Sequence, residues 1–464
     1  MPAPHPLLVV DAVGLTPRLL EHAPRLKALA DQGWQAPLDT VLPAVTCPVQ
    51  STFLTGAPPR DHGIVGNGWF FRDLGEVMLW RQHNRLVQGE KAWETAGRAF
   101  ACYTAANVCW WYAMGASTDW TITPRPVYHA DGRKSPDCYT RPPELHDELT
   151  SALGPFPLFN YWGPTASLRS TEWIVSAARR LLPKADLTLC YIPHLDYDLQ
   201  RHGPHSEQAR TAVRDMDAAL APLLDDAAER GTRVLVVSEY GIAPASRPVH
   251  VNRALRDAGL LEVYTQHGME YLDPWASRAF AVADHQAAHV YVADPADLEH
   301  VAALVSALPG VDLVLDRAGQ ADHGLDHARS GELVLVAEPE AWFTYYYWQD
   351  DRAAPDFARG VEIHRKPGYD PAELFLDPAA PGAAKARAAL NLAKKKVGLR
   401  YTMNVVPTDA RWVRGTHGRL PDDPADGPIA VCGEASFARD RIAATDVRDL
   451  MLGLAGVPAP ARPS

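Results

Sequence analysis

The sequence predicts an α/β fold on a mainly parallel sheet, with a cap inserted over the site. Three observations carry this. Strand-length apolar runs at 7–10, 187–192 and 234–237 each lead into an acidic residue, Asp11, Asp196 and Glu239 respectively. A helical period precedes the second run and another separates it from the third. The stretch 69–157, rich in aromatics and proline, breaks that rhythm.

The run Leu-Leu-Val-Val at 7–10 is continuous rather than alternating, as in a strand buried on both faces of a parallel sheet, and Gly14 follows Asp11. A stripe of Trp173, Ile174, Ala177, Ala178, Leu181 and Leu182 marks a helix, with Ser170 or Thr171 as its expected N-cap. A second stripe, Val213, Met216, Leu220, Leu223, Leu224 and Ala227, stops at Gly231. Right-handed crossovers then place the carboxyl ends of these strands along one sheet edge, where α/β enzymes carry their chemistry. Asp11, Asp196 and Glu239 are expected to meet there. Val290-Tyr-Val292, a helix near 298–308 and the strand 333–337 are expected to extend the same sheet. The expected core comprises 1–68 and 158–464, with a lid at 338–386 and the cap at 69–157. A terminal run of Pro and Ala ends the chain and is expected to be disordered.

Of the 464 residues, 47% are hydrophobic and 22% charged, enough apolar residues for a sizeable core. Lys plus Arg number 45 against 56 Asp plus Glu, a net charge of -11 that disfavours binding to a nucleic-acid polymer. No secretory leader precedes the first apolar run, and none of the runs reaches membrane-spanning length, so a soluble cytoplasmic protein without membrane contact is expected. Cys47, Cys102, Cys109, Cys138, Cys190 and Cys432 form no CxxC pair, which points to free thiols rather than a zinc knuckle or disulfide framework.

The most informative segment reads Pro43-Ala-Val-Thr46-Cys-Pro48, then Leu54-Thr55-Gly56, His62-Gly63-Ile64 and Asn67. A threonine hydroxyl is a poor nucleophile at neutral pH unless a base or metal activates it. A helix beginning at Thr46 would also offer backbone donors to a phosphate. Two later segments complete the pattern: Asp196 to Pro204, and Arg414-Gly-Thr-His417-Gly418.

These motifs resemble the alkaline phosphatase superfamily, in its nucleotide pyrophosphatase/phosphodiesterase-like branch. The resemblance implies a three-layer αβα core and two divalent metal ions. It makes Thr46 the nucleophile, Asn67 a phosphoryl ligand, and Asp11, Asp196 and His417 metal ligands.

The remaining positions depart from the family pattern. Where it has D-x-x-x-H before Gly-Pro, this chain has Asp196 and Gln200; Asp198 and His202 give a second register, also four apart on one helix face. Where it has Ser-Asp-His-Gly, this chain reads Ser238-Glu239-Tyr240-Gly241. Glu239 can replace an aspartate ligand, whereas a tyrosine binds weakly unless ionised. The resemblance thus gives one ion to Asp11, Glu239 and Thr46, with Tyr240 beside them, and the other to Asp196, Gln200 or His202, and His417. So oxygen-rich a set suits manganese or magnesium as well as zinc. His285 and His289 could supply a missing imidazole, or be held by backbone partners. Arg365 and Lys366 could bind phosphate or sit in a solvated turn, and Trp110, Trp111 and Tyr112 could stack a base or pack inward.

The expected activity is hydrolysis of a small phosphodiester or nucleotide through a phosphothreonine at Thr46. Two alternatives remain: cleavage of a carbon–phosphorus bond, as in the similar phosphonoacetate hydrolases, and a degenerate member that binds a phosphorylated ligand without turnover.

Overall fold

A computed structural model describes residues 4–130, 133–379, 381–399 and 401–458. The terminal run expected to be disordered lies outside the described residues from 459 onward.

Leu7–Ala12 is the middle strand of a nine-stranded sheet and is buried along its whole length. Arg233–Val237 lies parallel on one side of it and Leu187–Ile192 on the other. Ala105–Val108 and Trp120–Pro124 continue the parallel run, and Cys138–Arg141 closes that edge antiparallel. Beyond Arg233–Val237 comes Ile429–Cys432, antiparallel to both its neighbours, then Trp34–Asp39 and Ile442–Ala443. The expected parallel core is therefore present, and its strands carry the continuous apolar runs that two buried faces demand.

Helices cover both faces in three layers. Leu168–Leu181, Glu207–Glu229 and Pro24–Gln32 form one contacting set; Thr46–Thr55, Ala92–Ala99 and Val447–Leu454 form another. Leu168–Leu181 starts before the expected caps: Ser167 holds the N-cap position, while Ser170 is buried and donates its hydroxyl to the Ser167 carbonyl. Ser206 caps the long helix by accepting from Ala209 N.

Two expectations about organisation change. The segment 279–337 does not extend the central sheet. Ala279–Asp284, Ala287–Val292, Leu333–Ala337 and Val311–Leu315 form a separate antiparallel four-stranded sheet. Its own core is built from Phe280, Val282, Val290 and Leu335 with Val251 and Leu255. Only two residues, His285 and Gln286, join its first two strands, and that length permits a hairpin but no parallel crossover. Meanwhile the segment expected as a cap gives three strands, Ala105–Val108, Trp120–Pro124 and Cys138–Arg141, to the central sheet. Among the described residues no helix is long and apolar enough to cross a membrane.

Candidate active site

Strand order alone brings the acidic residues together. Asp11 is the next-to-last residue of the middle strand, in register with Tyr191 and Val237 of its two neighbours. Glu239 stands two residues past Val237, and Asp196 lies in the first turn of the helix His194–His202 that follows Ile192. All three side chains are buried.

Thr46 is the first residue of Thr46–Thr55, after an extended Val45. It is therefore not an N-cap, and its hydroxyl is free to meet Tyr240 Oη at 3.1 Å. The helix offers phosphate fewer donors than the sequence suggested. Cys47 N donates to Asn67 Oδ1 at 3.0 Å, Pro48 has no N–H, and Val49 N bonds the Val45 carbonyl.

His417 reaches Thr46 through a backbone bridge in which Ala44 N donates to the Gly418 carbonyl. Its Nδ1 lies 2.9 Å from the Ala44 carbonyl, an acceptor only, so Nδ1 carries the proton. The Nε2 lone pair then faces Asp196 Oδ1 at 3.8 Å. The Tyr240 ring stacks on His417 with centroids 3.6 Å apart and planes 5° apart.

Of the two registers, the structure brings in Asp196 and Gln200. Gln200 is buried and its amide meets Tyr369 Oη at 3.2 Å. The alternative register points away: Asp198 pairs with Arg201, and His202 is exposed, two residues further round the helix. His202 is thus removed from the set of candidate ligands.

Asn67 is held in place by its neighbours. Its backbone N and its Nδ2 donate to the two oxygens of Asp284, at 2.8 and 3.1 Å, while its Oδ1 accepts from Cys47. His285, in the left-handed region at φ +60, pairs through Nδ1 with Asp284 and lies 3.6 Å, centroid to centroid, from both His417 and Tyr369. His289 is held by backbone alone, Nε2 on the Val65 carbonyl and Nδ1 accepting from Gly331 N. Arg365 pairs with Asp356 at the surface, and Lys366 is buried between Asp370 and Glu373, so neither faces the site. Trp110 packs against Phe53 in the core. Trp111 instead joins Trp80, Tyr369 and Trp162 in an aromatic wall beside the site.

Two contributors escaped the sequence reading. Gln50, one turn beyond Thr46 on the same helix face, donates from Nε2 to Asp11 Oδ2 at 3.1 Å and Glu239 Oε1 at 2.7 Å. Its Oε1 accepts from Trp111 N, which fixes the amide orientation. The four-residue spacing from Thr46 was the available signal. Tyr369, which faces Gln200 and His285, had none beyond its place in Gly-Tyr-Asp.

Burial dominates the electrostatics. It pushes the carboxyls of Asp11 and Asp196 up to about 7, with hydrogen bonds from neighbouring side chains opposing the shift. Glu239 goes well above the usual range, first by burial and then by the adjacent Asp11 charge. Burial also pushes the His285 and His417 imidazoles well below their ordinary value.

Asp11 Oδ1, Glu239 Oε2, Asp196 Oδ1, His285 Nε2 and His417 Nε2 are all buried without a hydrogen-bond partner. Such a concentration of unmet polar atoms, most of them acceptors, suits cations. The donor set is hard: two carboxylates and a hydroxyl on one side, a carboxylate, a carboxamide and one imidazole on the other. Among the described residues no cluster of three or more His, Cys, Asp or Glu takes up metal-holding geometry. The residues therefore fit divalent ions whose coordination is completed by hydroxyl, amide and water.

The family model for type I phosphodiesterase / nucleotide pyrophosphatase matches residues 7–370. Among solved structures, the chain is similar to murine ectonucleotide pyrophosphatase / phosphodiesterase 5, an inactive variant in complex with AMP, with TM-score 0.57 and 15% identity, covering 99% of this chain and 97% of that one. For phosphonoacetate hydrolase from Sinorhizobium meliloti in complex with phosphonoformate the values are 0.61, 15%, 97% and 96%. For human ectonucleotide pyrophosphatase / phosphodiesterase 5 they are 0.60, 15%, 99% and 97%. At this identity the likeness is one of fold.

Proposed function

Because the chain belongs to the type I phosphodiesterase / nucleotide pyrophosphatase family, we propose that it hydrolyses a small phosphodiester or nucleotide, with Thr46 as nucleophile. One observation carries this reading. The Thr46 hydroxyl lies at a buried helix start, held by Tyr240, beside unpartnered acceptors of Asp11, Glu239, Asp196 and His417.

Thr46 Oγ attacks phosphorus as the P–O bond to the departing alcohol or phosphate breaks, and the proton given up by the Thr46 hydroxyl, which lies 3.1 Å from Tyr240 Oη, ends on the leaving oxygen. Tyr240 orients the Thr46 oxygen, and Gln50 holds Asp11 and Glu239 in place. His417, fixed by the Ala44 carbonyl, keeps its Nε2 directed at Asp196. The Trp80, Trp111 and Tyr369 wall shields the reacting groups from water. Divalent ions held by Asp11, Glu239 and Thr46, and by Asp196, Gln200 and His417, would offset the buried negative charge and lower the threonine pKa. Water then attacks the phosphothreonine; the P–Oγ bond breaks, Thr46 Oγ regains a proton, and the phosphoryl group leaves with the water oxygen. All six cysteines are free, as in a reducing cytoplasm.

A second reading, ligand binding without turnover, draws on Tyr240 and Gln200 standing where the family has histidines and on Asn67 being tied to Asp284. Elemental analysis combined with hydrolysis of bis-p-nitrophenyl phosphate in Mg, Mn and Zn separates the two. Activity lost in Thr46→Ala, with metal bound, supports the hydrolase; no Thr46-dependent turnover in any ion defeats it. Turnover of phosphonoacetate but of no diester would move the reaction to the carbon–phosphorus bond, for which the fold likeness to phosphonoacetate hydrolase is the support.

A further inference from the structure

The helix Pro381–Lys396 is inverted relative to an ordinary surface helix. Its inner face is small and polar: Ala384 and Asn391 are buried, and Asn391 Nδ2 donates to the Thr402 carbonyl at 2.7 Å. Large apolar residues face outward instead. Leu390 is 56% exposed and Leu392 51%, and just past the helix Val397 is 70% and Leu399 60% exposed. Four aliphatic side chains within ten residues is an unusual concentration for a free surface.

Charge is concentrated in the same place. Lys385, Arg387, Lys394, Lys395, Lys396 and Arg400 fall between Asp377 and Asp409 with no acidic residue between those two, in a chain whose net charge is -11. Lys385 and Arg387 are exposed on the helix. Basic residues interleaved with exposed aliphatics match the two components of an anionic bilayer surface, headgroup phosphate and acyl chain. A nucleic-acid strand would instead call for aromatic stacking platforms, and the only aromatic residue from 378 to 408 is Tyr401.

We propose that the segment 381–399 is a peripheral docking surface for anionic lipid membranes. It inserts Leu390, Leu392, Val397 and Leu399 among the acyl chains while Lys385, Arg387 and Lys394 pair with headgroups. No spanning helix is needed, so the expectation of no membrane contact, which rested on the lack of a span, does not bear on this surface. On its inner side the helix packs through Ala388 on Ala372, Val405 and Val406, and the neighbouring Leu374 and Phe375 pack with Trp162.

The test is co-sedimentation of the full-length protein with vesicles of phosphatidylcholine alone or of phosphatidylcholine and phosphatidylglycerol at 7:3. Binding to the anionic vesicles and not the neutral ones is expected. Each basic residue near the surface contributes about fivefold to partitioning. Lys385→Glu with Lys394→Glu should therefore weaken binding at least 25-fold, and Leu390→Ser with Leu392→Ser at least tenfold. Both variants should keep the wild-type unfolding midpoint and unchanged hydrolysis of a soluble diester. Equal binding to both vesicle types, wild-type binding by the leucine variant, or displacement by an equal charge of single-stranded DNA would each overturn the proposal.

Discussion

Lys366 offers the sharpest test of how the region around Tyr369 is held. Its Nζ lies 2.7 Å from Asp370 Oδ2 and 2.8 Å from Glu373 Oε1, and all three side chains are 1% exposed. The carboxylates have further partners: Asp370 Oδ1 accepts from Ala372 N, Glu373 Oε1 from Glu362 N, and Glu373 Oε2 from Trp162 Nε1. Lys366→Met keeps the volume but leaves two carboxylates facing each other in a dry environment. Breaking a buried pair this way costs about 3–5 kcal/mol, mostly the penalty of the stranded charge. With an m-value of about 3 kcal/mol/M, the urea midpoint should fall by about 1 M or more. Tryptophan fluorescence suits the assay because Trp162 hangs on Glu373. Adding Asp370→Asn and Glu373→Gln removes the stranded charges while keeping the acceptors, and should recover more than half of the loss. A midpoint shift below about 0.2 M in Lys366→Met, or a triple variant worse than the single, would refute the reasoning.

Three further outcomes follow. Gly418 has φ +115, and an added Cβ would lie 2.9 Å from Gln286 N, so Gly418→Ala should cost more than about 1 kcal/mol; it should also displace His417, checked by urea unfolding and a tenfold or greater loss of Thr46-dependent turnover. His285 occupies the left-handed region, so His285→Gly should unfold at higher urea than His285→Val, whose branched Cβ is strained there; equal midpoints would contradict this. Burial depresses His289 from 6.5 to about 4, so its contribution is present above pH 6.5 and lost as pH falls through that window. The full loss is about 3 kcal/mol. Unfolding midpoints at pH 7, 5.5 and 4.5 should fall more steeply for wild type than for His289→Asn, and parallel curves would exclude His289 as a cause.

How far the fold was legible depended on how each element is buried. Leu187–Ile192 and Leu333–Ala337 have the bounds their apolar runs suggested, because burial on both faces writes itself as a continuous run. The same kind of run does not say which sheet a strand joins. Ala279–Asp284 and Ala287–Val292 therefore read as part of the central sheet until the two-residue link between them is weighed. Ala105–Val108, with two alanines and an asparagine in four residues, carries almost no strand signal; its place is fixed by Leu187–Ile192 beside it. In the site, Asp11, Asp196 and Glu239 stood out because each follows a recognisable apolar strand, whereas Thr46 was singled out by the family resemblance of its motif. Gln50 and Tyr369 act only through neighbours far away in sequence; Asp196 was favoured over Asp198 by its place after the strand, but Gln200 and His202 were separable only once the helix showed which face was buried.

The position of Ile429–Cys432 has a consequence for synthesis on the ribosome. This strand fills an interior slot between Trp34–Asp39 and Arg233–Val237, so both neighbours keep an unpaired edge until it arrives. It is made roughly 190 residues after Val237, a delay of about 10–40 s at ordinary translation rates. His417 emerges in the same late stretch. A nascent chain therefore carries Thr46 long before it carries a complete site, and over that interval its open strand edges are the part most in need of a chaperone.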